Sequence, residues 1–89
     1  MSELYRRSPD ASESVVGDRL VLYHRVSRTA LVLNPTGTWM WAQLAQPRSV
    51  EELVADLRTR FQGLAASDAE RDLHAFLNDL SRHDMLSTV

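Results

Sequence analysis

The chain has 89 residues, which limits it to one small domain and leaves no room for the layered α/β architectures of most cofactor enzymes. It contains no cysteine, which excludes disulfides, thiolate metal sites and thiol nucleophiles. Its basic residues are all arginine: residues 1–48 carry six arginines and four acids, whereas residues 49–89 carry four arginines and eight acids. The acidic second half opposes nucleic-acid binding, which needs a clustered basic face.

The N-terminal segment shows no periodic pattern and no apolar run. We therefore predict a flexible arm over residues 1–10 and one folded domain over residues 11–89. Because residues 1–14 resemble neither a signal peptide nor a membrane span, we expect a cytoplasmic protein without a membrane partner.

Three short β-rich segments follow the arm. Ser14–Val16 and Arg19–His24 flank Gly17-Asp18, a two-residue link whose leading glycine suits a type II′ hairpin turn. Thr29–Leu33 is again short and β-rich. The pattern predicts a three-stranded antiparallel sheet.

Three helices are predicted after the strands. Asn34-Pro35 has the cap and first-turn residues that begin a helix, and Pro47 ends it. Ser49 and Glu52 have capping-box spacing and begin a second helix with the apolar positions Val50, Leu53, Val54, Leu57 and Phe61. Ser67 and Glu70 predict a second capping box, opening a third helix with the apolar stripe Leu73, Phe76, Leu77 and Leu80. The fold class is therefore α+β, a three-stranded antiparallel sheet followed by three helices that are similar to a winged helix-turn-helix.

Candidate catalytic residues are few and scattered. His74 and His83 are nine residues apart, about 180° around a helix, so they cannot converge on one ligand. His24 alternates with leucines along its strand and is best interpreted as a histidine at the edge of the core. We expect no enzyme activity, no catalytic residues, no metal and no cofactor.

In a winged helix domain the third helix reads the DNA, so the charge of this helix decides whether that function fits. It carries Asp68, Glu70, Asp72, Asp79 and Asp84 against Arg71 and Arg82. This excess of acids would repel a phosphate backbone. A winged-helix DNA-binding regulator is therefore only the alternative function, and we expect no nucleic-acid partner.

The third strand is the most informative segment. In a meander it lies at the sheet edge, yet Ala30–Leu33 is apolar throughout and holds no lysine, proline or acid to protect the open backbone. One interpretation is that the helices cover one face and the N-terminal arm the other. The other is β-augmentation, in which an extended peptide pairs with the free edge. Trp39 lies about 160° from Trp41 on its helix, and either anchors an interface or packs on the sheet or the arm.

The third helix has two flanks beside its apolar stripe. With the core side set by the leucines, Asp72, Phe76, Asp79 and His83 lie on one flank and Glu70, His74 and Ser81 on the other. The first flank combines an apolar wall at Phe76 with two carboxylates that suit a basic residue or a backbone amide.

Several motifs together resemble the PqqD family, whose members are leader-binding domains called RiPP recognition elements. They are the Leu-Val-Leu-Asn-Pro-Thr-Gly run at 31–37, Trp41, the Ser-Val-Glu-Glu-Leu run at 49–53, Phe76-Leu77-x-x-Leu80 and Met85-Leu86. The resemblance covers residues 11–87. The segment Ala45-Gln46-Pro47-Arg48 replaces the Cys-Asp-Gly type of turn of the PQQ-biosynthesis member, which argues against that pathway. The Leu-Asn-Pro-Thr-Gly run with a following tryptophan is more similar to the small B1 component of lasso-peptide gene clusters.

The resemblance implies a PqqD-like peptide-binding domain over residues 11–89. Its partner would be the leader of a ribosomally made precursor peptide, bound as an extra strand along strand three beside the third helix, where we favour the flank with Phe76. The bound precursor would be delivered to a leader peptidase, a cyclase or another modifying enzyme. A peptide chaperone of the PQQ-biosynthesis type is the alternative. The expected peptide-binding residues are Arg28, Thr29, Ala30, Leu31, Val32 and Leu33 on the strand and Asp72, Phe76, Asp79 and His83 on the helix.

Overall fold

The computed structural model describes residues 3–63 and 65–88, which form two small sheets and three helices. In chain order the elements are β1 (Leu4–Arg7), β2 (Ala11–Val16), β3 (Arg19–His24), β4 (Ala30–Leu33), α1 (Pro35–Gln43), β5 (Arg48–Ser49), α2 (Val50–Arg60), α3 (Ala66–Arg82) and β6 (Leu86–Thr88).

The predicted three-stranded antiparallel sheet is confirmed, in the order β2-β3-β4. Val16 pairs with Arg19 across the β2–β3 turn, where Gly17 has a φ of 64°. That left-handed conformation suits glycine, and it is the one that the first position of the predicted turn requires.

A second antiparallel sheet, in the order β5-β1-β6, was not predicted. In it Leu4 pairs with Ser49, and Tyr5 pairs with Thr88. The expectation of a flexible arm over residues 1–10 is therefore wrong for the described part of that segment, because β1 is paired on both sides. Ser8 extends this attachment by donating its backbone N–H to the carbonyl of Met85 at 2.9 Å.

The start of α1 agrees with the sequence, whereas its end does not. Asn34 caps the helix with its Oδ1, which accepts from the Gly37 N–H at 2.6 Å, and Pro35 is the first helical residue. The helix ends at Gln43 and not at Pro47. Residues 44–47 form the connection that brings β5 back to pair with β1.

Only one of the two predicted capping boxes forms. Ser49 accepts from the Glu52 N–H at 3.1 Å, and the Ser49 N–H donates to Glu52 Oε1 at 3.0 Å. In contrast, α3 begins at Ala66 after the cap residue Ala65, without a side-chain cap bond. Alanine has the highest helix propensity, and the helix therefore includes Ser67 as an internal residue of the first turn.

The core lies between the inner face of the β2-β3-β4 sheet and the helices. Its buried side chains are Leu22, Leu33, Met40, Trp41, Leu44, Leu53, Leu57, Ala69, Leu73, Phe76, Leu77, Leu80 and Met85. The predicted apolar stripe of α3 is thus confirmed. His24 is also buried, and its Nδ1 accepts from the Ser27 N–H at 3.0 Å, as a histidine at the core edge does. The likeness of the helices to a winged helix-turn-helix stays a prediction.

Candidate functional site

The free edge of β4 is the first part of the candidate site. The backbone N–H of His24 donates to the carbonyl of Thr29 at 2.9 Å. Bonded and non-bonded pairs alternate in an antiparallel ladder, and the β3–β4 register therefore makes Leu22–Leu31 the next bonded pair. It follows that the N–H and C=O groups of Ala30 and Val32 point away from β3 and out of the sheet.

The β2 side of the same sheet supports this assignment. Arg25, next to His24, donates its N–H to the carbonyl of Asp10 at 3.1 Å. Successive residues of the central strand β3 thus bond alternately to β4 and to β2, as a regular ladder requires.

The side chains of β4 follow the same alternation. Leu33 is buried and Leu31 is half-buried on the inner face, whereas Ala30 and Val32 lie on the outer face and Val32 is 60% exposed. The interpretation in which the N-terminal arm covers the outer face is therefore wrong. That segment forms β1 in the other sheet instead.

Helix α3 lies beside the β4 edge and is tied to it at one end. The Thr29 hydroxyl donates to the backbone carbonyl of His83 at 2.9 Å. His83 in turn has its Nδ1 2.8 Å from the carbonyl oxygen of Asp79. Arg28, immediately before this contact, has a φ of 60° in the turn that starts β4. The start of β4 is thereby held at the C-terminal end of α3.

A cavity of about 350 Å³ lies between α1 and α3, where β4 ends. It is lined by Asn34, Thr36, Gly37, Met40, Asp72, Ala75, Phe76 and Asp79. Gly37 allows the two helices to approach closely: a Cβ there would lie 3.1 Å from Asn34 Oδ1 and 3.3 Å from the Phe76 ring. Phe76 therefore forms an apolar wall against the first turn of α1.

The rim of this cavity is acidic. Asp79 pairs with Arg82 at 3.1 Å, and Asp72 lies 4.0 Å from Arg71. Both carboxylates remain about half exposed, so they stay accessible to a ligand in the cavity. An apolar wall below two acids suits an apolar side chain with a basic group near it.

The structure brings the sequence-predicted residues together. Arg28 to Leu33 form the β4 edge and the turn before it, and Asp72, Phe76 and Asp79 line the adjoining cavity. None of Glu70, His74 and Ser81, on the other flank, lines it. The α1 lining residues Asn34, Thr36, Gly37 and Met40 were not predicted as site residues, although the Asn-Pro-Thr-Gly cap places them directly after β4.

Trp39 has neither of its two expected environments. It is half-buried and meets the Phe61 ring edge-on at 5.8 Å between centroids. The helical period indicated that Trp39 and Trp41 diverge, but it could not identify the end of α2 as the partner of Trp39.

A second cavity, of about 470 Å³, lies beside the free edge of β2. Within its lining, Arg7 donates from Nη2 to the Trp41 carbonyl at 2.8 Å, and its guanidinium carbon lies 4.7 Å from the centre of the Trp41 ring. Trp41 Nε1 donates to Glu13 Oε2 at 2.7 Å. The side chains of Arg7, Trp41 and Glu13 are therefore already engaged in hydrogen bonds within this cavity.

Residues 3–63 and 65–88 contain neither a cluster of metal-ligating side chains nor a membrane-spanning helix. No group of three or more histidine, aspartate or glutamate side chains is placed to hold a metal ion. No helix in that part of the chain is long and apolar enough to cross a membrane.

The chain is similar to one protein family and to solved structures that include the two below. The family described as coenzyme PQQ synthesis protein D (PqqD) matches residues 19–86. No curated protein matches the chain. A structure described as TbiB1 in complex with the TbiA(beta) leader peptide is 26% identical, with a TM-score of 0.80 over 92% of this chain and 94% of that one. Another, described as lasso peptide synthetase B1 complexed with the leader peptide, is 24% identical, with a TM-score of 0.76 over 93% and 96%.

Proposed function

The chain belongs to the PqqD family, and from that premise we propose that it binds the leader segment of a ribosomally made precursor peptide as an added strand on β4. The observation that carries the proposal is the unpaired backbone of Ala30 and Val32, on a strand that leads directly to a cavity with the Phe76 wall and an acidic rim. The likeness to TbiB1, which was solved with a leader peptide, supports the same kind of ligand.

In this proposal the leader pairs with the outward N–H and C=O groups of Ala30 and Val32. The remaining expected site residues of the strand, Arg28, Thr29, Leu31 and Leu33, position this edge through the turn, the tie to α3 and the core. A backbone ladder with one or two apolar anchors is consistent with micromolar to nanomolar affinity, about −8 to −12 kcal/mol.

Side-chain selectivity comes from the helix flank. One apolar leader residue enters the cavity against Phe76, and a basic leader residue lies beside Asp72 or Asp79. His83 closes the other end of the groove, where its carbonyl holds Thr29. The rim selects weakly, because exposed ion pairs contribute at most about 1 kcal/mol.

We further propose that the chain is a binding module without catalytic activity that delivers the precursor to a leader peptidase or another modifying enzyme. The B1-like motifs and the Ala-Gln-Pro-Arg segment at residues 45–48 favour lasso-peptide biosynthesis over the PQQ pathway. The two similar solved structures are consistent with this choice, because the description of one names a lasso peptide synthetase B1.

A labelled leader peptide from the same gene cluster tests the proposal directly. Fluorescence anisotropy with EDTA present should give a dissociation constant in the micromolar to nanomolar range, and mass spectrometry should show an unchanged peptide. A requirement for metal, or turnover of the peptide, would exclude the binding-module function. In parallel, a gel shift at physiological salt should show no DNA complex, since the face of α3 carries more acids than arginines.

A further inference from the structure

The turn between β3 and β4 is built around His24, the last residue of β3. The backbone N–H of His24 donates to the Thr29 carbonyl at 2.9 Å, and its own carbonyl accepts from the Arg28 N–H at 2.8 Å. Its ring nitrogen Nδ1 accepts from the Ser27 N–H at 3.0 Å. Hydrogen bonds to one residue therefore fix the chain from Ser27 to Thr29.

The turn depends on these bonds because it has little other support. His24 is only 7% exposed, whereas Ser27 and Arg28 are exposed and do not pack on the core. Arg28 also has a φ of 60°, a conformation that residues other than glycine rarely adopt. Such a backbone persists only where the surrounding structure holds it.

The His24 ring acts here as a hydrogen-bond acceptor. Because the Ser27 N–H is a donor, Nδ1 has to be the unprotonated nitrogen, and the neutral ring carries its proton on Nε2. A leucine at this position would fill much of the same space but could not accept from Ser27. An asparagine could accept, because its Oδ1 is bonded to Cγ as the histidine Nδ1 is.

The same turn is connected to the end of α3. The Thr29 hydroxyl gives its proton to the His83 carbonyl at 2.9 Å, so Ser27 is the donor in the 3.0 Å bond between the Ser27 and Thr29 hydroxyls. His83 caps the C-terminal end of α3, where the last carbonyls have no partner within the helix. Hydrogen bonds thus lead from the His24 ring through Ser27 and Thr29 to α3.

This connection holds one end of the groove between β4 and α3. The other end is held where β4 passes into α1, since Gly37 there allows α1 to approach the Phe76 ring of α3 closely. The distance between β4 and α3 is therefore set at both ends, and at the start of β4 the connection depends on the turn that His24 holds.

We infer that His24 is a positioning residue for leader binding, an inference that rests on the proposed function. His24 does not need to touch the leader. By fixing the turn it places the Thr29 hydroxyl against α3, so that the outward groups of Ala30 and Val32 face a groove of constant width. A leader that enters a preorganised groove loses less affinity to the ordering of its binding site.

Two substitutions of His24 separate its role as an acceptor from its bulk. Leader affinity, measured by fluorescence anisotropy with the labelled leader peptide, should fall about tenfold for His24→Leu, which leaves the Ser27 N–H without this acceptor. It should return to within about threefold of the wild type for His24→Asn, which keeps an acceptor at Cγ. A role in packing alone would not favour asparagine over leucine.

Thr29→Val provides a matched variant, because it removes the next bond of the same connection. If both residues act through this connection, the double variant of His24→Leu and Thr29→Val should bind no more weakly than the weaker of the two single variants. Val54→Ala is the stability control. Val54 packs against the core from α2, and no residue of α2 lines the cavity beside β4, so this variant should melt earlier and bind the leader like the wild type.

Thermal unfolding identifies the variants that fold, and all titrations are made well below their melting temperatures. Nitrogen NMR of the wild-type histidines at neutral pH tests the geometry without any variant: His24 should show the Nε2–H form of the ring. A proton on Nδ1 would overturn the inference. So would a folded His24→Leu or Thr29→Val protein with wild-type leader affinity, or additive losses in the double variant.

The wild-type titration distinguishes failure of this inference from failure of the proposed function. If the leader does not bind the wild type, the proposed function fails, whatever the NMR spectrum shows. If the leader binds and its affinity does not depend on the acceptor at residue 24, only the positioning role of His24 is wrong.

Discussion

The two edge strands of the β2-β3-β4 sheet offer the same kind of free backbone but differ in what lies beside them. At β4 the open edge leads directly to Asn34, which lines a cavity with the Phe76 wall and an acidic rim. At β2 the adjoining cavity is larger, yet within it Arg7 already donates to the Trp41 carbonyl and Trp41 donates to Glu13. The proposal of β4 as the peptide-binding edge therefore rests on the unoccupied apolar wall near it and not on cavity volume.

Replacement of Leu31 by proline should have the largest effect on stability, because it removes a backbone hydrogen bond between β4 and β3. Leu31 lies in a pair that exchanges backbone bonds with Leu22, and its side chain packs on the core. Proline removes the donor and should cost about 3 kcal/mol or more. Loss of cooperative thermal unfolding, followed by circular dichroism, is the expected result. A variant with native stability would mean that the bonded side of β4 has been misassigned.

Proline at the two free edges tests the comparison itself. Val32→Pro removes an outward amide of β4 and should lower leader affinity at least tenfold while the domain remains folded. Val15→Pro removes an outward amide of β2 and should leave leader affinity unchanged. Anisotropy titrations of both variants measure this difference in leader affinity. Equal losses of affinity, or no loss in either variant, would contradict the choice of β4 as the peptide-binding edge.

Charge reversal on α3 should have a moderate effect. Asp79→Arg reverses the acidic rim and should weaken a leader that carries a basic residue by about threefold to fivefold, the scale of an exposed ion pair. Asp68→Arg is the control, because Asp68 pairs with Arg71 at the same i,i+3 spacing and does not line the cavity. The difference should shrink at high salt. Similar weakening by both variants would indicate a general charge effect and not a rim contact.

Substitution of Glu52 in the capping box of α2 should have the smallest effect on stability, and it should leave leader affinity unchanged. Hydrogen bonds from the backbone and side chain of Ser49, with the nearby Arg48, hold the pKa of Glu52 below its ordinary value. A carboxyl with a lowered folded-state pKa stabilises the fold above its unfolded pKa, and that contribution disappears as pH falls through the folded pKa. Glu52→Gln should therefore lose less thermal stability than the wild type between pH 7 and acid.

At neutral pH the Glu52 variant should bind the leader like the wild type, because the capping box lies away from the β4 edge. Parallel melting curves over the acid range, with one anisotropy titration at pH 7, test both statements. Identical pH profiles for the two proteins would mean that this carboxylate does not contribute to the pH dependence of stability.

Local signals explain which parts of the fold were predictable. The β2–β3 hairpin and the start of α2 depend on neighbouring residues, a glycine turn and a reciprocal cap, and both were predicted. The β5-β1-β6 sheet was missed because its strands are two to four residues long and pair only with distant segments. The order of apolar and polar side chains in Leu4–Arg7 does not indicate a strand that pairs with a neighbour on each side.

The candidate site likewise has a part that local sequence signals predict and a part that depends on tertiary contacts. The unprotected β4 edge could be recognised because Ala30–Leu33 lacks charges, and the structure places that strand at the sheet edge. The helical period left two flanks of α3 open, since periodicity fixes angles around an axis and not the neighbour that each flank meets. The contribution of α1 to the cavity depends on the approach at Gly37, which is a tertiary contact.

The pairing of β1 with β6 has a consequence for protein architecture. Tyr5 lies opposite Thr88, so the first and last strands run side by side at the usual spacing of about 5 Å. A host protein could carry this unit as an insertion in a surface loop, with the chain leaving and returning at nearly one point. The entropic cost of closing such an insertion is small, because the unit itself holds its two ends together.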